Sequence, residues 1–152
     1  MPDLPRDRVM GEAMSPLREG EVILAEWPAD KERYWRSHAI MAVLGGFVGG
    51  VVLLAIGNPA PWVGPVAAVF AMGARAWYLA SEALAGHWRL TTQRLQGPGG
   101  RQMSLGQITT VRPFFGDVQV ITQAGDKHLM KYLADGAGVA ASIQSAKAGF
   151  KP

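Results

Sequence analysis

Two long runs of apolar residues dominate the middle of the chain. They cover residues 39–57 and 62–80, and only Asn58, Pro59, Ala60 and Pro61 separate them. Each run has about 18 to 20 residues, which at a rise of about 1.5 Å per helical residue matches a hydrocarbon core about 30 Å thick. Because proline cannot donate a backbone hydrogen bond and disfavours helix in the residue before it, one helix must end and another begin at this loop. The pattern predicts a transmembrane helical hairpin over residues 34–84.

Beyond Leu84 the apolar residues alternate with polar ones, which is typical of strands. From Asp135, a good N-cap residue, helical spacing returns, with Val139, Ile143 and Ala146 as the apolar stripe. We therefore predict a β module with a C-terminal helix over residues 85–149. Its predicted extended segments are residues 87–96, as a strand pair or one long bent strand, and residues 101–105, 108–115, 117–123 and 127–133.

The part of the chain before the hairpin is predicted to contribute one strand. Residues 1–19 form an irregular segment, because Pro2, Pro5, Gly11 and Pro16 break any helix. An early strand of the β module is predicted over residues 20–30.

The order of these features resembles the bacterial PH-like domain family. Similar segments are residues 90–95, the glycine-rich turn that follows, residues 103–111 and 116–120, the final hairpin and helix, and the early strand at residues 21–27. Many membrane-anchored members place a two-span hairpin between an early strand and the rest of the domain. The resemblance implies an α+β membrane protein: a two-helix transmembrane hairpin plus a small PH-like antiparallel β-barrel or sheet with a C-terminal helix. We predict five or six strands, whereas a complete PH-like barrel has seven.

Charge distribution predicts the orientation of the hairpin. The formal net charge is +3, and the loop between the spans has no charge, whereas Lys31, Arg33 and Arg36 precede the first span. By the positive-inside rule both termini face the cytoplasm, which with the resemblance indicates the bacterial inner membrane. Four basic residues are predicted to contact lipid headgroups: Arg36, Arg75, Arg89 and Arg94. Arg75 is the only charge inside either span, and for it we favour a side chain that reaches the headgroups over a contact with a partner or cofactor. Glu82 lies two turns further on, so direct pairing with Arg75 is a further alternative.

Glycines on the first span form a candidate packing surface. Gly45, Gly46, Gly49 and Gly50 make two overlapping G-x-x-x-G pairs, which allow close approach of another helix. One interpretation is that the hairpin packs on itself, against small residues of the second span. The other is that this face docks a helix of a partner subunit. The small residues of the second span are Gly64, Ala67, Ala68, Ala71 and Ala74.

The chain carries little that indicates chemistry. It has no cysteine, which excludes disulfides and thiolate sites, and its histidines, His38, His87 and His128, have no carboxylate at metal-ligand spacing. We expect interfacial or surface roles for them. No nucleophile, base or paired carboxylate motif is present, and residues 97–101 lack the ending of a phosphate loop. We expect no catalysis, cofactor, metal or nucleic-acid binding.

Phe114 and Phe115 form a candidate cytoplasmic contact. We expect one to fill the small core and the other to be an exposed anchor for a partner or the membrane surface. The resemblance implies a binding module, and some family members are similar to assembly factors or accessory subunits of energy-converting membrane complexes. We therefore expect a non-catalytic accessory, scaffold or assembly subunit bound to other integral membrane proteins. The alternative is a membrane-anchored sensor of anionic lipids.

Overall fold

The computed structural model describes residues 14–151 of the chain, so most of the predicted irregular N-terminal segment lies outside the described residues. The chain divides into two compact units. Of the described residues, the β module comprises 14–30 together with 84–151, and the helical hairpin comprises Lys31–Ala83. In chain order the elements are β1 (Ile23–Pro28), α1 (Lys31–Ala55), α2 (Val63–Ala85), β2 (His87–Thr91), β3 (Arg94–Gln96), β4 (Gln102–Ser104), β5 (Ile108–Phe114), β6 (Asp117–Thr122), β7 (Lys127–Met130) and α3 (Gly136–Gly149).

The β module holds two small antiparallel sheets. One has the order β1-β2-β3-β4 and the other the order β5-β6-β7. Within residues 14–151 there are therefore seven strands, more than the five or six predicted, and residues 87–96 are a strand pair. The sheets are not joined into a closed barrel.

A single hydrophobic core lies inside the β module. Trp88 and Leu90 alternate inward along β2, and Val118 and Val120 do so along β6, as expected for strands with one buried face. The Trp88 ring packs so closely on Gly97 that a Cβ at this glycine would lie 2.5 Å from a ring carbon. Glycine at position 97 is therefore required by packing against the tryptophan, whereas Gly99 and Gly100 turn the chain with φ of +71°.

Helix α3 closes the core as its sequence predicts. The Asp135 carboxylate accepts a hydrogen bond from the Gly138 N–H at 3.0 Å, which caps the helix N-terminus. Val139 and Ile143 are buried in the core, and Ala146 packs against it. Both the N-cap and the apolar stripe are confirmed.

The hairpin helices α1 and α2 are long and apolar enough to span a membrane. Helix α1 begins at Lys31, eight residues before the apolar run, and α2 begins immediately after Trp62. Pro65 lies in the first turn of α2, where the missing N–H has no helical partner to lose. In the connection, the Asn58 side-chain oxygen accepts a hydrogen bond from the Ala60 N–H at 2.9 Å.

Candidate functional site

The glycine face of α1 packs against α2 of the same hairpin. An added Cβ at Gly46 would lie 3.0 Å from the Pro65 Cα, and one at Gly49 would lie 3.4 Å from the Gly64 Cα. On the α2 side of the crossing, an added Cβ at Gly64 would lie 2.6 Å from the Gly49 carbonyl carbon of α1. Backbone therefore meets backbone at this crossing, as small-residue helix pairs allow.

The flanking glycines meet the same helix. An added Cβ at Gly45 would lie 3.9 Å from the Ala68 Cβ, and one at Gly50 would lie 3.6 Å from the Pro65 ring. The arrangement is that of a hairpin packed on itself, and it leaves no room for a partner helix on the same glycines.

Only part of the small-residue set on α2 faces the glycines. Gly64 and Ala68 do, whereas Ala67, Ala71 and Ala74 are exposed. Their spacing places them on one side of α2, and Arg75 lies beside them, also exposed. We call Ala67, Ala71, Ala74 and Arg75 the arginine face.

A polar contact joins the hairpin helices near their other end. The buried Tyr34 hydroxyl donates to the Ala76 carbonyl at 2.7 Å, and His38 Nδ1 lies 2.9 Å from the Tyr34 carbonyl oxygen. His38 is only 5% exposed, so the expectation of a surface position is wrong for this histidine. It is buried because its ring packs on Tyr34, with ring centroids 4.3 Å apart.

The β module contains a buried ion pair between Glu21 and Arg94. Arg94 Nε donates to Glu21 Oε1 at 2.9 Å, and the remaining guanidinium nitrogens donate to Glu21, Gln102 and the Pro16 carbonyl. The carboxylate also accepts from the Thr91 hydroxyl at 2.5 Å and from the Arg18 N–H at 2.7 Å. Each partner satisfies the other, so the pair clamps the segment before β1 onto strands β2 and β3.

The surroundings of Glu21 keep its carboxyl ionised. Burial raises its pKa, but the hydrogen bonds from Arg94, the Arg18 N–H and Thr91 outweigh burial and lower the pKa from 4.5 to about 2. With its lone pairs occupied by donors, this carboxylate is a structural anion and not a proton acceptor for a substrate.

The four arginines predicted to contact headgroups occupy different environments. Arg36 and Arg75 are exposed on the hairpin. Arg89 pairs across strands with Glu26 at 2.7 Å. The prediction is wrong for Arg94, because its guanidinium is buried and fully engaged within the module.

Phe114 and Phe115 lie at the tip of the β5–β6 hairpin. Phe114 is 43% exposed and Phe115 is 93% exposed, so the prediction that one of them fills the core is wrong. The reason is the two-residue turn: Phe114 pairs with Asp117, which leaves Phe115 and Gly116 as the connection. The two rings contact each other edge to face, with centroids 4.9 Å apart.

Sequence reasoning missed the Glu21–Arg94 pair because its members are 73 positions apart. The sequence offered one signal, an acidic residue just before the early strand and a basic residue on a short strand of the same sheet. No group of three or more His, Asp or Glu residues within positions 14–151 is placed to hold a metal ion.

No family model, curated protein or solved structure matches this chain, so its function has to be inferred from its own residues.

Proposed function

We propose that the protein is a non-catalytic accessory, scaffold or assembly subunit of a protein complex in the bacterial inner membrane, with both termini in the cytoplasm. Only 11% and 6% of the most apolar stretches of α1 and α2 are buried within the structure. Large exposed side chains such as Val43, Phe47, Phe70 and Trp77 cover the hairpin. A surface of this kind is stable in lipid or against other membrane helices, and not in water.

Arg75 is the observation that carries the partner part of the proposal. It lies 12 residues after Val63 and five before the end of the apolar run at residue 80, about 18 Å and about 8 Å along the helix. This places its Cα within the apolar region, about 8 Å from the proposed cytoplasmic edge. A charge at the centre of the core is unfavourable by about 2.5–3.5 kcal/mol, and at the depth of Arg75 the guanidinium is still stabilised by a polar partner.

The direction of α2 makes a headgroup a poor partner for Arg75. Side chains on a helix tilt toward its N-terminus, which for α2 is the end at the loop, away from the proposed cytoplasmic surface. The neighbouring Ala67, Ala71 and Ala74 allow another backbone to approach the same face. We infer that the arginine face docks a membrane helix that offers a carboxylate or free carbonyl to the guanidinium.

The alternative, a sensor of anionic lipids, has less support. Of the four arginines assigned to headgroups, Arg94 is buried in an ion pair and Arg89 is paired with Glu26. A lipid sensor needs basic side chains that are free to bind headgroups. In the β module these two positions are already neutralised by carboxylates of the chain itself.

The test is purification of the full chain from native membranes in mild detergent. We expect comigration with a larger complex, reduced by Arg75→Leu and partly retained by Arg75→Lys. Arg75→Leu removes a charge from the apolar region, so lower abundance of the inserted hairpin is not expected. If the wild-type protein migrates alone, the subunit proposal is wrong.

Two leucine substitutions on α2 form a matched pair for the same experiment. Ala71→Leu adds bulk to the arginine face, whereas Gly73→Leu adds it where a new Cβ meets nothing within 4 Å. We expect only Ala71→Leu to reduce comigration. Equal behaviour of the two variants would contradict the assignment of this face to the partner.

A further inference from the structure

Two backbone hydrogen bonds identify the end of the β module at which the chain passes to and from the helical hairpin. The Asp30 N–H donates to the Tyr132 carbonyl at 2.7 Å, and the Ala29 N–H donates to the Gly86 carbonyl at 3.2 Å. Residue 30 immediately precedes the hairpin and residue 86 follows α2. The Tyr132 loop therefore lies at the hairpin end of the module.

Strand register extends this end to the aromatic tip. Tyr132 follows β7, whose last residue, Met130, pairs with Val118 near the start of β6. Strand β6 in turn begins at Asp117, which pairs with Phe114 across the turn. The turn at Phe115 and Gly116 thus lies at the hairpin end, and the β6–β7 turn lies at the opposite end of the same sheet.

The backbone holds Phe115 in a conformation that phenylalanine disfavours. Its φ is +49° and that of Gly116 is +86°, the signs of a type I′ turn, for which Asn-Gly is the preferred sequence. A bulky residue at positive φ is a genuine outlier, and such strain is concentrated at functional positions. The turn is also braced by α3, because a Cβ at Gly136 would lie 2.5 Å from the Gly116 carbonyl oxygen.

We propose that the Phe114–Phe115 tip inserts into the headgroup–acyl boundary of the bilayer and fixes the β module against the membrane surface. This inference rests on the proposed membrane location of the hairpin. The tip presents two aromatic rings to the outside at the end from which the apolar helices leave. Apolar side chains at such a boundary are typically buried about 5–10 Å deep.

The charged residues around the tip fit a lipid boundary. Arg112 and Lys131 are exposed at this end, where they meet the negative surface of the cytoplasmic leaflet. The one acidic neighbour along the strand, Asp117, is half-buried. We favour lipid over a protein partner because the tip lies at the same end of the module as Asp30 and Gly86. At these residues the chain passes to and from the proposed membrane spans.

The test uses depth-dependent quenching in the full chain. Because the chain has no cysteine, single cysteines at Phe115, Ala124 and Phe47 can each carry an environment-sensitive fluorophore. The proteins are reconstituted in phosphatidylethanolamine–phosphatidylglycerol vesicles that contain lipids brominated either near the headgroup end or near the methyl end of the acyl chains. Ala124 is exposed in the β6–β7 turn and is the matched control at the far end of the sheet, and Phe47 reports on α1.

We expect lipid brominated near the headgroup end to quench the label at position 115, lipid brominated near the methyl end to quench the label at position 47, and iodide to quench the label at position 124. Quenching of 47 by lipid but of 115 by iodide would overturn the tip proposal and leave the membrane location standing. Quenching of 47 by iodide would instead contradict the membrane location itself. If the label at 115 is shielded from iodide in native membranes but not in pure lipid, the tip binds a protein and the lipid proposal is wrong.

Discussion

At the scale of single residues, two glutamate–arginine pairs in one sheet differ mainly in burial. The side chains of Glu21 and Arg94 are 0% and 5% exposed, whereas those of Glu26 and Arg89 are 45% and 21% exposed. Removing one member of a buried pair leaves an uncompensated charge and typically costs about 3–5 kcal/mol, whereas an exposed pair contributes about 0–1 kcal/mol.

We therefore predict that Glu21→Gln decreases the free energy of unfolding of the β module. The decrease should be several times as large as the decrease that Glu26→Gln causes. Urea unfolding of the full chain in detergent, followed by proteolysis of the module, measures both. Equal effects of the two substitutions would mean that the Glu21–Arg94 clamp does not hold the module together.

The low pKa of Glu21 also predicts a dependence of stability on pH. Because the folded-state pKa is lowered from 4.5 to about 2, the ionised carboxylate stabilises the folded state above about pH 4.5. This stabilisation is lost progressively as the pH falls from about 4.5 through about 2. We expect Glu21→Gln to remove that part of the acid-induced loss, measured as the difference between the two unfolding curves across this pH range.

At the strained turn of Phe115 and Gly116 we predict a substitution that increases the stability of the module. Phe115→Asn places a residue that tolerates positive φ at the first position of a type I′ turn, so we expect the module to gain about 1 kcal/mol of stability. Phe114 lies on a regular strand, and Phe114→Asn is the control that should gain nothing. A loss of stability in Phe115→Asn would show that the edge-to-face contact with Phe114 outweighs the backbone strain.

At the scale of elements, the helical hairpin depends on how closely its two helices approach. Gly64 and Gly73 both lie on α2, but only Gly64 faces α1, where an added Cβ would lie 2.6 Å from the backbone. Gly64→Ala should therefore destabilise the hairpin by about 1–3 kcal/mol through overpacking. Gly73→Ala should be neutral or stabilising by up to about 1 kcal/mol, because alanine favours helix. Unfolding in mixed micelles with increasing SDS, followed by circular dichroism, compares the two variants.

The elements that sequence predicted best are those with a strong local signal. The apolar runs, the proline-containing loop, and the Asp135 cap with its stripe all depend on residues close together in the chain. Strands β3 and β4 were harder because each has three residues, too few to show alternation. The sequence located the β5–β6 turn at residue 116 but assigned Phe115 to the strand, since Phe115 occupies a position where asparagine would have marked the turn.

The functional surfaces were less predictable for a different reason. The glycine spacing on α1 indicated close packing, but it could not indicate which helix fills the face. That depends on contacts such as Gly46 with Pro65, across the loop. Likewise, the sequence shows Arg94 only as a basic residue on a predicted strand. The pairing with Glu21 in the structure shows that its guanidinium is unavailable to lipid.

At the scale of the whole molecule, the pairing of β1 with β2 constrains how the chain can cross a membrane. Pro28 pairs directly with His87, so the chain leaves the β module and returns to it at neighbouring positions. A folded module therefore requires both ends of the hairpin on one side and the loop of residues 58–61 on the other. This requirement is independent of the charge pattern, which predicts the cytoplasm for the module side because Lys31, Arg33 and Arg36 flank it.

We predict that single cysteines at Glu19 and Arg101 are protected from a membrane-impermeant thiol reagent in intact cells, whereas one at Ala60 is labelled. After the membrane is permeabilised, the exposed positions 19 and 101 should react as well, which controls for burial. If Arg101 is labelled from outside but Glu19 is not, β1 and β2 lie on opposite sides of the membrane and cannot pair. If both are labelled and Ala60 is not, the module is intact but faces outward, and the basic flanks do not set the orientation.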